Sequence, residues 1–162
     1  MLRSTRGLAL AEFAIVLPLL LMLVLGVIEY GNVLSRMHTL SSLSREGANL
    51  ASRGSTLPEV LTNVLTNGAD IALASRGGVV ASRLQVQGGA ARVLEQSASA
   101  GFGGRSLIGG AGGPAAGTGT WGLAEGQVVY VVEIFYNYSR ITPLQDVLGI
   151  RPPATLYERA TF

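Results

Sequence analysis

The chain has 162 residues, a formal net charge of +2 and no cysteine. This length fits one modest domain with a short additional segment, and the lack of cysteine excludes disulfides, thiolate metal sites and cysteine nucleophiles. All twelve basic residues are arginines spread along the chain, whereas a nucleic-acid-binding protein needs a clustered positive surface. We therefore expect no nucleic-acid partner.

The first element is an apolar run from Leu8 to Ile28, which follows a short basic leader at residues 1–7. Its 21 residues meet the roughly 20 that a helix needs to cross a bilayer. A cleavable secretory signal has a shorter apolar core and a small-x-small cleavage site, and neither is present here. Because arginines favour the cytoplasmic side, the run predicts a retained membrane helix with a cytoplasmic N-terminus and an exported C-terminal part.

Two residues inside the run require an explanation. Glu12 is a carboxylic acid in an apolar stretch, where ionisable groups are costly and by default functional. It either favours the positive end of a helix or pairs with the amine that cleavage after Gly7 would create at Leu8, on its own chain or on a neighbour. Pro18 has no N–H to donate to the carbonyl of Ala14, so we expect a kink there.

The residues around Glu12 also carry a resemblance to a known family. The basic leader, Gly7, an apolar Leu8, Glu12 five residues after the glycine and then Phe13 resemble the type III signal of type IV pilin-like proteins. The longer stretch RGLALAEFAIVLPLLLMLVLGVIEYG resembles the TadE/TadG-like pseudopilins of the Tad (Flp) pilus system. The stretches SREGA and GQVVYVVEIFYNYSRITP resemble the second half of the same family.

The resemblance implies that a prepilin peptidase cleaves between Gly7 and Leu8, and that Glu12 and Phe13 act in subunit assembly. It implies three further partners, namely other pilin and pseudopilin subunits, the Tad assembly platform and the lipid bilayer. The protein would be a minor pseudopilin of the bacterial inner membrane, with a periplasmic C-terminal domain, that initiates, primes or caps a filament. The alternative is an uncleaved single-pass scaffold of the assembly platform. Incorporation into a cell-surface pilus stays open.

Helical spacing continues past the apolar run, so residues 8–53 should form one long helix and residues 54–162 an exported domain. The segment Thr56–Glu59 predicts the start of a second helix, which ends near Asn67 or continues to Ser75. We expect the long helix to pack on the exported domain through one apolar stripe: Val33, Leu34, Met37, Leu40, Leu43, Gly47 and Leu50.

The rest of the chain predicts four strands, at residues 79–87, 90–96, 127–138 and 154–162. Gly88-Gly89 is a tight hairpin signal, and residues 101–126 are glycine-rich and should form a long irregular loop with little burial. Strands joined by turns and loops favour an antiparallel sheet. The predicted fold class is therefore α+β, with the long helix and a second helix packed on a four-stranded antiparallel sheet.

No residues combine into a catalytic group of nucleophile, base and orienting side chain. His38 is predicted to be a solvated helix residue, and the G-x-G-x-x-G match at residues 117–122 lacks the strand and helix that a dinucleotide site requires. We therefore expect no enzyme activity, no cofactor, no metal and no small-molecule substrate.

Two residues of the exported domain remain to be placed. Glu133 lies in the middle of the third strand and should point to solvent or pair with an arginine such as Arg83 or Arg92. Trp121 should attach the long loop to the core, or contact another subunit if it is exposed.

Overall fold

A computed structural model describes residues 5–118, 121–143, 146, 149 and 151–162 of the chain. The elements, in chain order, are α1 Thr5–Ser52, α2 Leu57–Asn67, a 3-10 turn Ala69–Ile71, α3 Leu73–Arg76, β1 Gly77–Gln87, β2 Ala90–Ala98, β3 Val128–Asn137 and β4 Thr155–Thr161. The predicted α+β class is confirmed, with further helices and a four-stranded antiparallel sheet.

The chain divides into two compact units. The first contains residues 1–35 and 139–154, and the second contains residues 36–138 and 155–162. The first unit therefore holds the apolar part of α1 together with the segment between β3 and β4. The second unit holds the sheet, the C-terminal part of α1, α2, α3 and the glycine-rich loop.

Helix α2 starts where the sequence predicts. The backbone N–H of Thr56 donates to Glu59 Oε2 at 2.9 Å, and the N–H of Glu59 donates to Thr56 Oγ1 at 3.4 Å. This reciprocal pair is a capping box, which satisfies donors that the first turn leaves without partners. The helix ends at Asn67, and the chain then forms the 3-10 turn and the short α3 rather than continuing as one helix to Ser75.

The sheet has the strand order β2-β1-β3-β4, and every neighbouring pair is antiparallel. Gly88 and Gly89 connect β1 to β2 with φ angles of 64° and 76°. A two-residue turn with positive φ at both positions matches the right-handed twist of the strands. The hairpin predicted from this glycine pair is confirmed.

One face of the sheet, here called the helix face, packs against helices. The closest approach is at Gly47 of α1, where an added Cβ would lie 2.7 Å from Val64 of α2 and 3.4 Å from Val132 of β3. The hydroxyl of Tyr136 donates to the carbonyl of Ile71 at 3.1 Å on the same face. The C-terminal part of α1 therefore packs on α2 and the sheet, as its apolar spacing predicts.

The opposite face of the sheet, here called the loop face, is also buried. Its core is formed by buried residues of three strands and one loop residue: Leu84, Val86, Ala91, Val93, Val129, Val131 and Ile108. Ala115, Trp121 and Leu123 of the glycine-rich loop pack against this cluster. The loop also pairs with the outer edge of β2, because Ala115 N–H donates to the Ala91 carbonyl at 2.8 Å.

Two expectations are therefore wrong. The loop was expected to contribute little burial, yet Ile108 is fully buried beneath it. The apolar stripe of α1 was expected to pack on the exported domain, but Leu34 is 57% exposed and Met37 is 38% exposed, whereas Val33 and Leu40 are buried. Helical spacing identifies a face of the helix but not which of its residues a partner covers.

Candidate functional site

The candidate site is the apolar surface at the N-terminal part of α1. Among the described residues, α1 is the one helix long and apolar enough to cross a membrane. Its large apolar side chains are exposed: Leu10, Phe13, Ile15, Val16, Leu17, Leu19, Leu20, Leu21, Leu23, Val24, Val27 and Ile28. At 1.5 Å per residue the run from Leu8 to Ile28 is about 31 Å long, which matches the roughly 30 Å hydrocarbon core of a bilayer. This surface fits lipid or the apolar helices of neighbouring subunits.

The start of α1 contains the predicted cleavage position. Helix α1 is described from Thr5 onwards, and both Gly7 and Leu8 lie within it. Gly7 is exposed, so nothing within the described part of the chain covers it. Cleavage at this bond remains a prediction.

Glu12 and Phe13 are both exposed on the same end of α1. Glu12 follows Leu8 by four residues, and residues four apart are neighbours on one face of a helix. The helical arrangement thus places the backbone of Leu8 one turn from the Glu12 side chain. An amine created at Leu8 would lie within reach of this carboxylate. The side chain of Phe13 is 59% exposed.

Pro18 lies inside α1, about 9 Å beyond Glu12 along the helix axis. The helix is continuous through this residue, although a proline in a helix interior removes one backbone hydrogen bond. The predicted kink remains a prediction. The structure does not bring Pro18 and Glu12 into one cluster.

The N-terminal segment is the part of the chain that matches a known family model. Residues 7–49 match the model of the TadE-like protein family. No curated protein and no solved structure matches the chain. The resemblance of the long N-terminal stretch to TadE-like proteins is confirmed over residues 7–49. This likeness is consistent with a protein of a Tad pilus system, and α1 is long and apolar enough for a single membrane pass. The match begins at Gly7 and does not extend over the sheet.

A second feature of the TadE-like segment was missed by the sequence reasoning. Glu29, the residue directly after the apolar run, is 1% exposed. Its Oε2 atom accepts hydrogen bonds from Thr142 N–H at 2.8 Å, Thr142 Oγ1 at 2.6 Å and Ile141 N–H at 3.3 Å. The acid at the end of the run was a visible signal, but its partner lies 113 residues further along the chain.

The prediction that Glu133 points to solvent is wrong. This residue is fully buried on the loop face. It accepts hydrogen bonds from Leu107 N–H at 2.9 Å, from the Tyr157 hydroxyl at 2.9 Å and from the Ser106 hydroxyl. The loop covers the face on which solvent was expected, and the loop itself supplies the donors that a buried carboxylate requires.

The surroundings of Glu133 hold the glycine-rich loop in place. Burial raises the pKa of Tyr157, and the negative charge and hydrogen bond of Glu133 raise it further, so this hydroxyl stays protonated and donates. Ser106 has a carboxylate partner but no imidazole, because His38 is an exposed residue of α1. Within the described residues, no three His, Cys, Asp or Glu side chains lie together as a metal site.

Trp121 attaches the glycine-rich loop to the sheet. It packs against the loop-face core, and the guanidinium of Arg159 lies 5.2 Å from its ring centroid. A cation over an aromatic face is attracted by the ring quadrupole. The expectation that Trp121 fixes the loop to the core is confirmed.

Proposed function

We propose that this protein is a minor pseudopilin that helps to initiate, prime or cap a Tad-type pilus or secretion filament. The observation that carries the proposal is the exposed apolar run of α1, whose single acid, Glu12, lies about one turn beyond the start of the TadE-like match. An exposed apolar helix surface is stable in lipid before assembly and against neighbouring helices after it. The role is structural, and the chain needs no cofactor and no substrate for it.

In this proposal the protein lies in the bacterial inner membrane. Arg3 and Arg6 precede the apolar run and keep the short leader in the cytoplasm. The sheet-bearing part then lies in the periplasm. Its partners are the prepilin peptidase, other pilin and pseudopilin subunits, the Tad assembly platform and the bilayer.

Cleavage between Gly7 and Leu8 is the first step of this role. A glycine before the bond lets the peptidase approach the backbone closely. We expect Gly7→Val to retain the leader, while Ala9→Val, a matched change two residues away, is cleaved normally. N-terminal sequencing of the membrane-bound protein reads both results directly. A mature terminus at Leu8 in the Gly7→Val variant would contradict the assignment.

The same measurement separates the proposal from its alternative, an uncleaved scaffold of the assembly platform. A wild-type protein that begins at Met1 in piliated cells would establish the scaffold. A terminus at Leu8 would exclude it.

Glu12 carries the assembly step in this proposal. Its carboxylate meets the new amine of Leu8, on its own chain or on a neighbour, in a low-dielectric setting where such a pair is strong. Glu12→Leu should still be cleaved and inserted, because it removes a charge from the apolar span. Crosslinking to other pilus subunits and the number of pili should both fall.

Glu12→Gln tests whether the charge is the cause. It keeps the size and hydrogen bonding of the side chain, so it should share most of the defect if charge pairing matters. Ala11→Leu changes the neighbouring position without touching the charge and should assemble normally. A carboxylate that only favours the helix start would contribute about 0.3–1 kcal/mol, and normal piliation in both Glu12 variants would establish that lesser role.

A further inference from the structure

Glu29 lies where the apolar surface of α1 ends. Ile28 is the last residue of the apolar run and is 48% exposed, whereas Glu29 beside it is 1% exposed. The apolar run is as long as a bilayer core is thick. Glu29 therefore lies at the level where a membrane-spanning α1 leaves the hydrocarbon.

The carboxylate of Glu29 fixes a second piece of chain at this level. Two consecutive backbone N–H groups and one hydroxyl, from Ile141 and Thr142, converge on its Oε2 atom. Burying a carboxyl group is costly unless hydrogen bonds compensate, so this arrangement holds the two residues against the helix. We call residues 139–143 the strap.

The strap presents apolar and basic groups. Ile141 is 60% exposed although its own N–H is bound to Glu29. Arg140 precedes it, and Arg151 follows further along the same unit, and both side chains are exposed. An exposed apolar side chain that directly follows an arginine suits the boundary between lipid headgroups and acyl chains, where apolar side chains insert beside cationic ones.

We propose that the strap is a lipid-surface contact that inserts Ile141 into the headgroup region at the exit side of the membrane, with Glu29 as the residue that sets its depth. This proposal rests on the proposed function only in requiring that α1 crosses a bilayer. The partner is the membrane surface because Glu29 ties the strap to the residue at which the lipid-facing helix ends. A neighbouring subunit on the same surface would be a different partner, and the experiment distinguishes it.

The test measures the depth of spin labels in the full-length protein. The chain has no native cysteine, so single cysteines at Leu23, Ile28, Leu34 and Ile141 can each be labelled alone. The first three positions serve as depth references along α1, where Ile28 and Leu34 lie about 9 Å apart. The protein is reconstituted in vesicles of phosphatidylethanolamine and phosphatidylglycerol, and accessibility to oxygen and to a water-soluble nickel complex is recorded.

We expect the label at Ile141 to read a depth nearer to Ile28 than to Leu34. Leu34 is the matched control, because its exposed fraction of 57% is close to the 60% of Ile141. A label at Ile141 that is as water-accessible as Leu34 would overturn the proposal. A label protected from both reagents would also overturn it, because it would indicate a protein partner. If α1 does not cross the membrane, the result is different, because the label at Leu23 is then itself accessible to the water-soluble nickel complex.

Variants of Glu29 test whether it sets the depth. Glu29→Ala should move the Ile141 label into water while the Ile28 label keeps its depth. If Glu29→Ala does not accumulate, Thr142→Val removes the hydroxyl donor alone and should give the same shift to a smaller extent. An Ile141 label that keeps its lipid contact in both variants would refute the role of Glu29.

Discussion

The attachment of the glycine-rich loop through Glu133 gives a prediction with a calculable size. Replacing Glu133 with alanine removes the acceptor of three donors, from Ser106, Leu107 and Tyr157, at a position with no solvent exposure. Each buried donor without a partner costs about 1–3 kcal/mol. The two hydroxyls can rotate towards other acceptors, so we expect a loss of about 3–5 kcal/mol in the free energy that holds the loop.

Glutamine at this position should be much milder. Its carbonyl can accept from Leu107 and Tyr157, and its amide can donate to the Ser106 hydroxyl, so all three contacts keep a partner. The loss is then the charge assistance, which roughly doubles the strength of a hydrogen bond. We expect Glu133→Gln to cost about 1–2 kcal/mol. Glu95→Ala, which removes an exposed acid from β2, serves as the control and should change little.

Two readouts follow the loop itself in the full-length protein in detergent. The chain has no lysine, so trypsin cuts only at arginines, and Arg105 lies directly before Ser106 in the loop. Glu133→Ala should speed cleavage at Arg105 while cleavage at Arg53, at the end of α1, stays unchanged. The emission of Trp121, which is the single tryptophan, should shift to longer wavelength. Unchanged cleavage at Arg105 and unchanged emission in the alanine variant would refute the reasoning.

Three further predictions concern the second unit. Gly47→Ala should lower the melting temperature by circular dichroism, because its Cβ would approach Val64 to 2.7 Å, and an increase would contradict the packing of α1. Hydrogen bonds from the N–H groups of Gly89 and Gly88 lower the pKa of Glu125. The stability that Glu125 contributes is therefore present above pH 4.5 and falls on acidification. Glu125→Gln should flatten the acidic part of the profile of melting temperature against pH. Burial raises the pKa of Tyr157. Its contribution to stability is therefore present below about pH 10 and is lost at higher pH. Tyr157→Phe should reduce this loss of stability at alkaline pH.

Local patterns made the helices and strands predictable. The capping box at Thr56 and Glu59, the glycine pair between β1 and β2, and the β-branched residues of β3 each specify structure through neighbours within a few residues. The family resemblance was likewise carried by consecutive residues from Gly7 to Phe13. Such signals need no knowledge of where distant parts of the chain lie.

The burial of the loop face could not be read in this way. The loop has no helical or strand periodicity, so its sequence does not show that Ile108 and Trp121 cover a sheet. One signal was available, because β3 carries apolar residues on both faces, including Val129 and Val131 beside Val132. A strand that is apolar on both sides is buried on both sides, and Glu133 between such residues then requires buried partners.

Glu29 and Glu133 show a common physical solution in a chain without disulfides. Both acids are buried, and both accept from backbone N–H groups of irregular segments, which have few partners of their own. One carboxylate oxygen can accept several hydrogen bonds, so a single side chain fixes a stretch of backbone that no sheet or helix orders. Unlike a disulfide, such an attachment can open without chemical change. Substituting either acid should therefore release its own segment, the strap or the loop, while the sheet and its hairpin keep their hydrogen bonds.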